Sequence, residues 1–269
     1  MADVSARALG GLPEVRAGDD LAALITAALD GRRLPGGAVV AIAHTVVSKA
    51  EGAVVALDGV EVSERARELA AGLEAAAGEE RDPRVIQVVL DESAEVVRAG
   101  RGVLICRTRH GLVCANAGVD VSNASSPDTV IVLPRDPDAS ARRIRARLRE
   151  LDGGRPPARA RPEEMPPPAV LISDSFGRAW RHGQMDVAIG LAGMQPLDDW
   201  RGRTDATGLR LRATWPAVAD AAAAAADLAR SKDSREPVVL IEGLERFVSD
   251  DDGPGAAALV RPTGEDLFR

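Results

Sequence analysis

The chain has no tyrosine, three phenylalanines and three tryptophans in 269 residues. Its core is therefore aliphatic, and the aromatic platforms on which single-stranded bases stack are scarce. A basic surplus is also missing: the net charge is −7, which argues against a nucleic-acid partner, because such a surface displaces counterions with excess positive charge. No apolar run approaches the roughly 18 residues of a membrane span, and the N-terminus lacks the basic and apolar blocks of a secretory leader. A cytoplasmic protein with no membrane partner is expected. Only two cysteines occur, Cys106 and Cys114, on either side of Arg109-His110-Gly111; free thiols are expected there, and no zinc site. Neither GxxxxGK[ST] nor GxGxxG is present, so the standard phosphate loops are not supported.

Lysine is nearly absent too. Of the 34 basic side chains two are lysine, Lys49 and Lys232, and the other 32 are arginine. Against that bias, a retained lysine can mark a place that needs a compact ammonium rather than a planar fork.

Hydrophobic residues make up 45% of the chain, enough for one substantial core. Asp19 or Asp20 caps a helix over DDLAALITAALDG that ends near Gly31. Ala38 to Ala43 is a buried strand that turns polar at His44, Thr45, Ser48 and Lys49. Ser63 opens an Ala-rich amphipathic helix, and VIQVVL (85–90) reads as a second apolar strand. VLICRTRHGLVCANAG reads as a hairpin turning at His110-Gly111. Asp136 and Pro137 start a third helix, and residues 153–168, GGRPPARARPEEMPPP, form the best linker candidate. AVLISD (169–174) is a strand, Trp215-Pro216 leads into a long Ala-rich helix, and PVVLIEGL (237–244) is the last strand. GQMDVAIGLAGMQPL (183–197) could line a substrate pocket or simply fill the core. SDDDGPG near the C-terminus reads as a solvated loop. A hairpin without a regular βαβ repeat favours an α+β fold of mixed, largely antiparallel sheets with flanking helices.

The polar groups that could carry chemistry follow the apolar strands. They are His44-Thr45 with Ser48-Lys49, Asp120 with Asn123 in the loop CANAGVDVSN, and Asp174-Ser175 with Gly177-Arg178. Carboxylates and hydroxyls are the hard oxygen donors that Mg²⁺ or Mn²⁺ prefers, and Lys49 can neutralise phosphate oxygens. From spacing alone, a polar turn and ordinary helix or turn caps account for these groups equally well. His44, His110 and His182 show no metal-binding spacing.

Five ordered segments carry a resemblance: VVSKAEG (46–52), TRHGLVCANAGVDVSN (108–123), LPRDPDASARRIR (133–145), SDSFGRAWRHGQMDVAIGLAG (173–193) and DWRGRTDATGLRL (199–211). Together they resemble the coenzyme F420-0:L-glutamate ligases over about residues 8–245. The resemblance implies a single ligase module over 1–269, lacking the nitroreductase-like domain fused to some relatives. It implies an unusual fold of two interleaved subdomains, without a Walker loop, assembled as a homodimer. The implied activity is GTP-dependent addition of L-glutamate to coenzyme F420-0 in a γ-linked tail, through an acyl phosphate, releasing GDP and phosphate. Mg²⁺ or Mn²⁺, two per site, would be required, and K⁺ is a further candidate. Carried over by position, GTP-binding residues fall on Leu12, Pro13, Glu14, Val15, His44, Thr45, Lys49 and Asn123, and on the segment Arg230 to Pro237. Metal ligands fall on Asp120, Asp174 and Ser175, and no covalent nucleophile is implied. Arg178, Arg181 and Arg201 are candidates for gripping anionic substrates. His44 stands where the family has a small hydroxyl residue, and Lys232 where an amide facing the metal is expected. Another metal-dependent amide ligase or phosphohydrolase, or a non-catalytic binding module, would be the alternatives.

Overall fold

The computed structural model describes residues 3–124, 126–152 and 166–266. Its central element is a five-stranded sheet built from β1 (Ser5–Ala8), β2 (Val39–Ala43), β8 (Ala169–Arg178), β9 (Arg181–Ala192) and β10 (Val238–Glu242), in the order β1-β10-β2-β8-β9. Only β2 and β8 run parallel, with Ile42 opposite Ile172 and Ala43 opposite Ser173; the other pairs are antiparallel.

The inner strands are apolar on both faces because both faces are covered. Val40, Ile42, Val170 and Ile172 point to one core with helices α1 (Leu21–Ala28) and α5 (Pro137–Leu151), through Leu21, Ile25, Ala141 and Leu148. Val39, Ala41, Leu171 and Ile241 point the other way, to Ala219, Ala222, Ala223 and Ala226 of α6 (Val218–Ala229). Asp20 and Asp136 cap α1 and α5 as the sequence predicts, each accepting from a backbone N–H three residues on.

Between β2 and its parallel neighbour β8 the chain inserts a second body. Helix α2 (His44–Ala50) follows β2 without a loop. Beyond it, β3 (Val54–Ala56) pairs with β7 (Thr129–Ile131), and α3 (Glu64–Ala77) and α4 (Pro83–Asp91) cover a three-stranded sheet. That sheet comprises β4 (Ser93–Gly100), β5 (Val103–Thr108) and β6 (Val113–Ala115). The α+β class is thus observed.

Residues 85–90, expected as a strand, are helical. Asp82 accepts from Arg84 N, Pro83 occupies the first turn, and the run is buried on two sides at helical spacing. Ile86 and Val89 enter one core while Val85 and Val88 enter another. The six residues VIQVVL alone look like a strand, because the helical period shows only with the flanks, where Arg84, Gln87 and Asp91 recur at i, i+3 and i+7.

The segment 183–197 supplies most of β9 and core packing through Leu191, Ala192 and Met194. The hairpin of β5 and β6 forms as expected, with Cys106 opposite Cys114, both buried and both free thiols. The acidic loop 249–255 is not merely solvated: its carbonyls turn inward onto buried Arg145. Most of the linker candidate, 153–165, lies outside the described residues. No described helix is long and apolar enough to cross a membrane.

Candidate functional site

The parallel pair β2 and β8 sets the site: β2 ends at Ala43, while β8 runs on to Arg178 and carries Asp174 and Ser175 within it, just past the stretch paired with β2. Ala43 and Ser173 are register partners, so His44 and Asp174 emerge side by side, with His44 Nε2 3.3 Å from Asp174 Oδ1. His44 is buried, and its Nδ1 lies 3.5 Å from Ser48 Oγ on the same helix. Further along α2, Lys49 reaches across to Glu14, with Nζ 2.6 Å from Oε1.

The loop after β6 delivers Asp120 from the inserted body. Asn116, Ala117 and Gly118 all adopt left-handed backbone conformations, at φ of 50°, 53° and 73°, and the Asn116 carboxamide accepts from Leu104 N. Two non-glycine residues in that region cost on the order of 1 kcal/mol each or more. At Gly118 a Cβ would stand 2.8 Å from Leu133, so glycine is required there. The chain then pairs Asp120 with Ile131 through both backbone bonds.

The Asp120 carboxylate is held from below by its own loop. Oδ1 accepts from Ser122 N (2.7 Å), Ser122 Oγ (2.8 Å) and Asn123 N (3.1 Å), and Oδ2 from Asn123 Nδ2 (2.7 Å). Burial pushes its pKa up, but the donors of Asn123 and Ser122 together outweigh burial and hold it below 3.8. Because the folded value is depressed, this ionisation stabilises the fold above the ordinary carboxylate range, and the contribution is lost as pH falls through the lowered value. Replacing Asn123 by alanine removes one donor and leaves the burial, so the Asp120 pKa rises. Carbon-detected NMR titration of the carboxyl groups reads the shift, and an unmoved or lowered value would contradict it.

On the β8 side, Ser175 Oγ donates to Asp186 Oδ1 (2.6 Å) and Ser173 Oγ to Asp186 Oδ2 (2.8 Å). Asp186 is 1% exposed and ion-paired with Arg230, which also donates to Pro237 O and contacts Ser173 Oγ. This buried pair ties the loop after α6 to β8 and β9. The Asp186 pairing has one signal in the sequence, a single acid inside the otherwise apolar run MDVAIG.

These groups line one cavity of about 760 Å³, within the range of small-molecule and cofactor sites. Leu12 to Val15, His44, Thr45, Lys49, Asp120, Asn123, Asp174, Ser175 and the 230–237 loop all contribute to its wall. Arg178, Arg181 and Arg201 do not. Arg178 donates to His182 O and pairs with Arg181 across the β8–β9 turn, while Arg201 clamps Asp199 and lies 4.1 Å over the Trp215 ring. Cys114 also lines the cavity. Burial first, then the charge of Asp174, push its thiol up to about 12, so it stays protonated and is a poor nucleophile.

No three His, Cys, Asp or Glu side chains converge as a closed metal cage among the described residues. A hard cation nevertheless suits the donors that do converge. Asp120 is ionised, its Oδ2 takes a single hydrogen bond, and Asp174 and Ser175 add oxygens of the same class. Mg²⁺ and Mn²⁺ are commonly held by one or two carboxylates, with water and phosphate completing the shell.

Fold and cavity together define an α+β protein whose cavity gathers carboxylates, hydroxyls and two lysine ammonium groups. The chain belongs to the F420-0:Gamma-glutamyl ligase family, which it matches over residues 11–243. It is 43% identical to the coenzyme F420:L-glutamate ligase of Methanopyrus kandleri, over 97% of this chain and 100% of the relative. The enzymes of the same name from Methanothermobacter thermautotrophicus and Halobacterium salinarum are each 41% identical. Their alignments cover 96% and 97% of this chain and 96% and 94% of those relatives.

Proposed function

We propose that this protein is a GTP-dependent ligase that joins L-glutamate to coenzyme F420-0. The observation that supports this most directly is the convergence of Asp120, Asp174 and Lys49, from three distant segments, on one nucleotide-sized cavity in a member of this family.

A carboxylate is a poor electrophile, so amide formation needs a leaving group. The terminal carboxylate of F420-0 attacks the γ-phosphorus of GTP, the bridging P–O bond breaks, and GDP departs. The glutamate amine then attacks the acyl carbon, phosphate leaves, and the amine nitrogen loses a proton. Lys49 releases Glu14 and meets the phosphates as a point charge, while Asn123 and the backbone of residues 12–15 hold the nucleotide. Asp120 and Asp174, beside Ser175, would hold divalent cation, which when bound offsets the charge that develops on the transferring phosphoryl group.

Mass spectrometry of F420-0 incubated with protein, GTP, Mn²⁺ and L-glutamate is expected to show the added mass of glutamyl units. It should show none when either GTP or glutamate is omitted. GTP hydrolysis without any glutamylated product would instead identify a phosphohydrolase.

A further inference from the structure

Both lysines of the chain line the same cavity, although arginine is used almost everywhere else. Lys49 faces residues 12–15, as described above. Lys232 stands at the opposite wall, with Nζ 3.0 Å from Ser175 Oγ, 2.9 Å from Asp227 Oδ1 and 3.8 Å from Asp186 Oδ1. Hydroxyl and carboxylate oxygens in that combination are what a hard metal ion takes as ligands. Here a compact ammonium already occupies their centre, and an ammonium has three donors and no lone pair to give a metal.

We propose that Lys232 is the built-in cation of the Ser175 end of the cavity, so that this chain binds one divalent ion, held through Asp120 and Asp174. The inference rests on the cation-holding role assigned to those two acids. Charge balance points the same way. Asp186 is already matched by Arg230 and faced by Lys232, and Asp227 is paired with Lys232. Asp120, Asp174 and Glu236 line the cavity without a lysine or arginine ion pair among the described residues, and His44 is the basic side chain beside Asp174. Glu236 belongs to the 230–237 loop with Lys232, which leaves Asp120 and Asp174 as the two carboxylates that match one dication at the other end. Ser175 is also committed: its proton goes to Asp186 and one lone pair to Lys232. A second dication there would sit close to the ammonium, weakening its binding by about ten-fold or more. Lys232 is 71% exposed, so it stays hydrated and can turn from Asp227 toward an anionic ligand.

The test counts Mn²⁺ bound to the full chain, with Mn²⁺ alone as probe, by electron paramagnetic resonance of the free ion. Wild type is expected to hold one ion per chain at saturation. Lys232→Gln, which exchanges the ammonium for an amide that offers an oxygen, is expected to hold two, and the charge-keeping Lys232→Arg one. Two ions in wild type, none in wild type, or one in Lys232→Gln would each overturn the proposal. If Lys232→Gln does not fold, the wild-type count and Lys232→Arg decide it, with two ions in either overturning it. The count is independent of turnover. A chain that binds one ion and fails to extend F420-0 sinks the ligase assignment alone; a chain that extends F420-0 with two ions bound sinks this one alone.

Discussion

Alanine at Asp120 is expected to lower the rate of the proposed glutamyl addition by more than about a hundred-fold while the protein stays folded. The rate effect follows from the chemistry. Removing one group that stabilises developing charge costs roughly 10²–10³ in other enzymes, and Asp120 is the acid proposed to hold the cation beside the phosphates. The small stability effect follows from geometry. The donors that lose their acceptor belong to Ser122 and Asn123, both exposed, so water replaces the carboxylate and the cost is about 1 kcal/mol. Asp120→Asn separates charge from shape: it keeps an acceptor for Ser122 but loses the anion, and its rate should fall nearly as far as that of the alanine variant. A steady-state rate within ten-fold of wild type for either variant would remove Asp120 from the reaction. Asp174→Ala is the parallel case, and it additionally frees His44 from its carboxylate. For a module that only binds, neither replacement would alter a catalytic rate.

The candidate site was readable in sequence largely because its groups follow apolar runs. Ala38 to Ala43 and AVLISD are apolar runs that turn abruptly polar; β2 stops at that point, whereas β8 continues through its polar residues to Arg178. The cavity is the meeting of those two polar stretches across one parallel register. What sequence did not show is pairing in space. Asp186 is the fourth residue of the largely apolar segment 183–197, and only the β8–β9 register, which sets Ser175 opposite Asp186, and the approach of Arg230 reveal its partners. The three arginines expected to grip substrate illustrate the converse. Their composition was right for anions, but Arg201 is engaged by Asp199 two residues away and Arg178 by its own hairpin.

Fold-level misreadings have the same physical origin. Helix α4 has its cap at Asp82 and a polar stripe of Arg84, Gln87 and Asp91, but the stripe falls largely on the flanks of VIQVVL, so the six apolar-rich residues by themselves could not be separated from a strand. The short strands β1, β3 and β7 were missed because three or four residues are too few for alternation to register. Parallel pairing of β2 with β8, separated by the whole inserted body, is a long-range contact that no local pattern encodes.

Arg145→Ala is expected to destabilise the fold by about 3–5 kcal/mol, the largest loss from any single arginine. Arg145 is 1% exposed, on a helix where Arg143, Arg147 and Arg149 are exposed. Its Nε donates to Pro168 O, Nη1 to Asp251 O and to the Asp252 carboxylate, and Nη2 to Ser249 O. One side chain thus satisfies the carbonyls of the loop that closes the edge of the sheet, and it knits α5 to the start of β8. Gly193 is shaped to admit it: φ is 79°, and a Cβ there would come within 2.2 Å of the Arg145 Cζ. Truncation leaves several buried carbonyls and a cavity at once, penalties that water cannot relieve as it would at a surface. For a chain of this size the loss corresponds to roughly 10 °C in the unfolding midpoint, read by calorimetry. Arg147, one position beyond the next residue on the same helix, is the control. It pairs with Asp20 and Glu150 while 46% exposed, and screened surface pairs contribute little, so Arg147→Ala should leave the midpoint near that of wild type. Equal shifts for the two variants would show that helix propensity, not the buried fork, sets the cost. Arg145→Lys supplies the charge without the fork geometry and should recover only part of the loss.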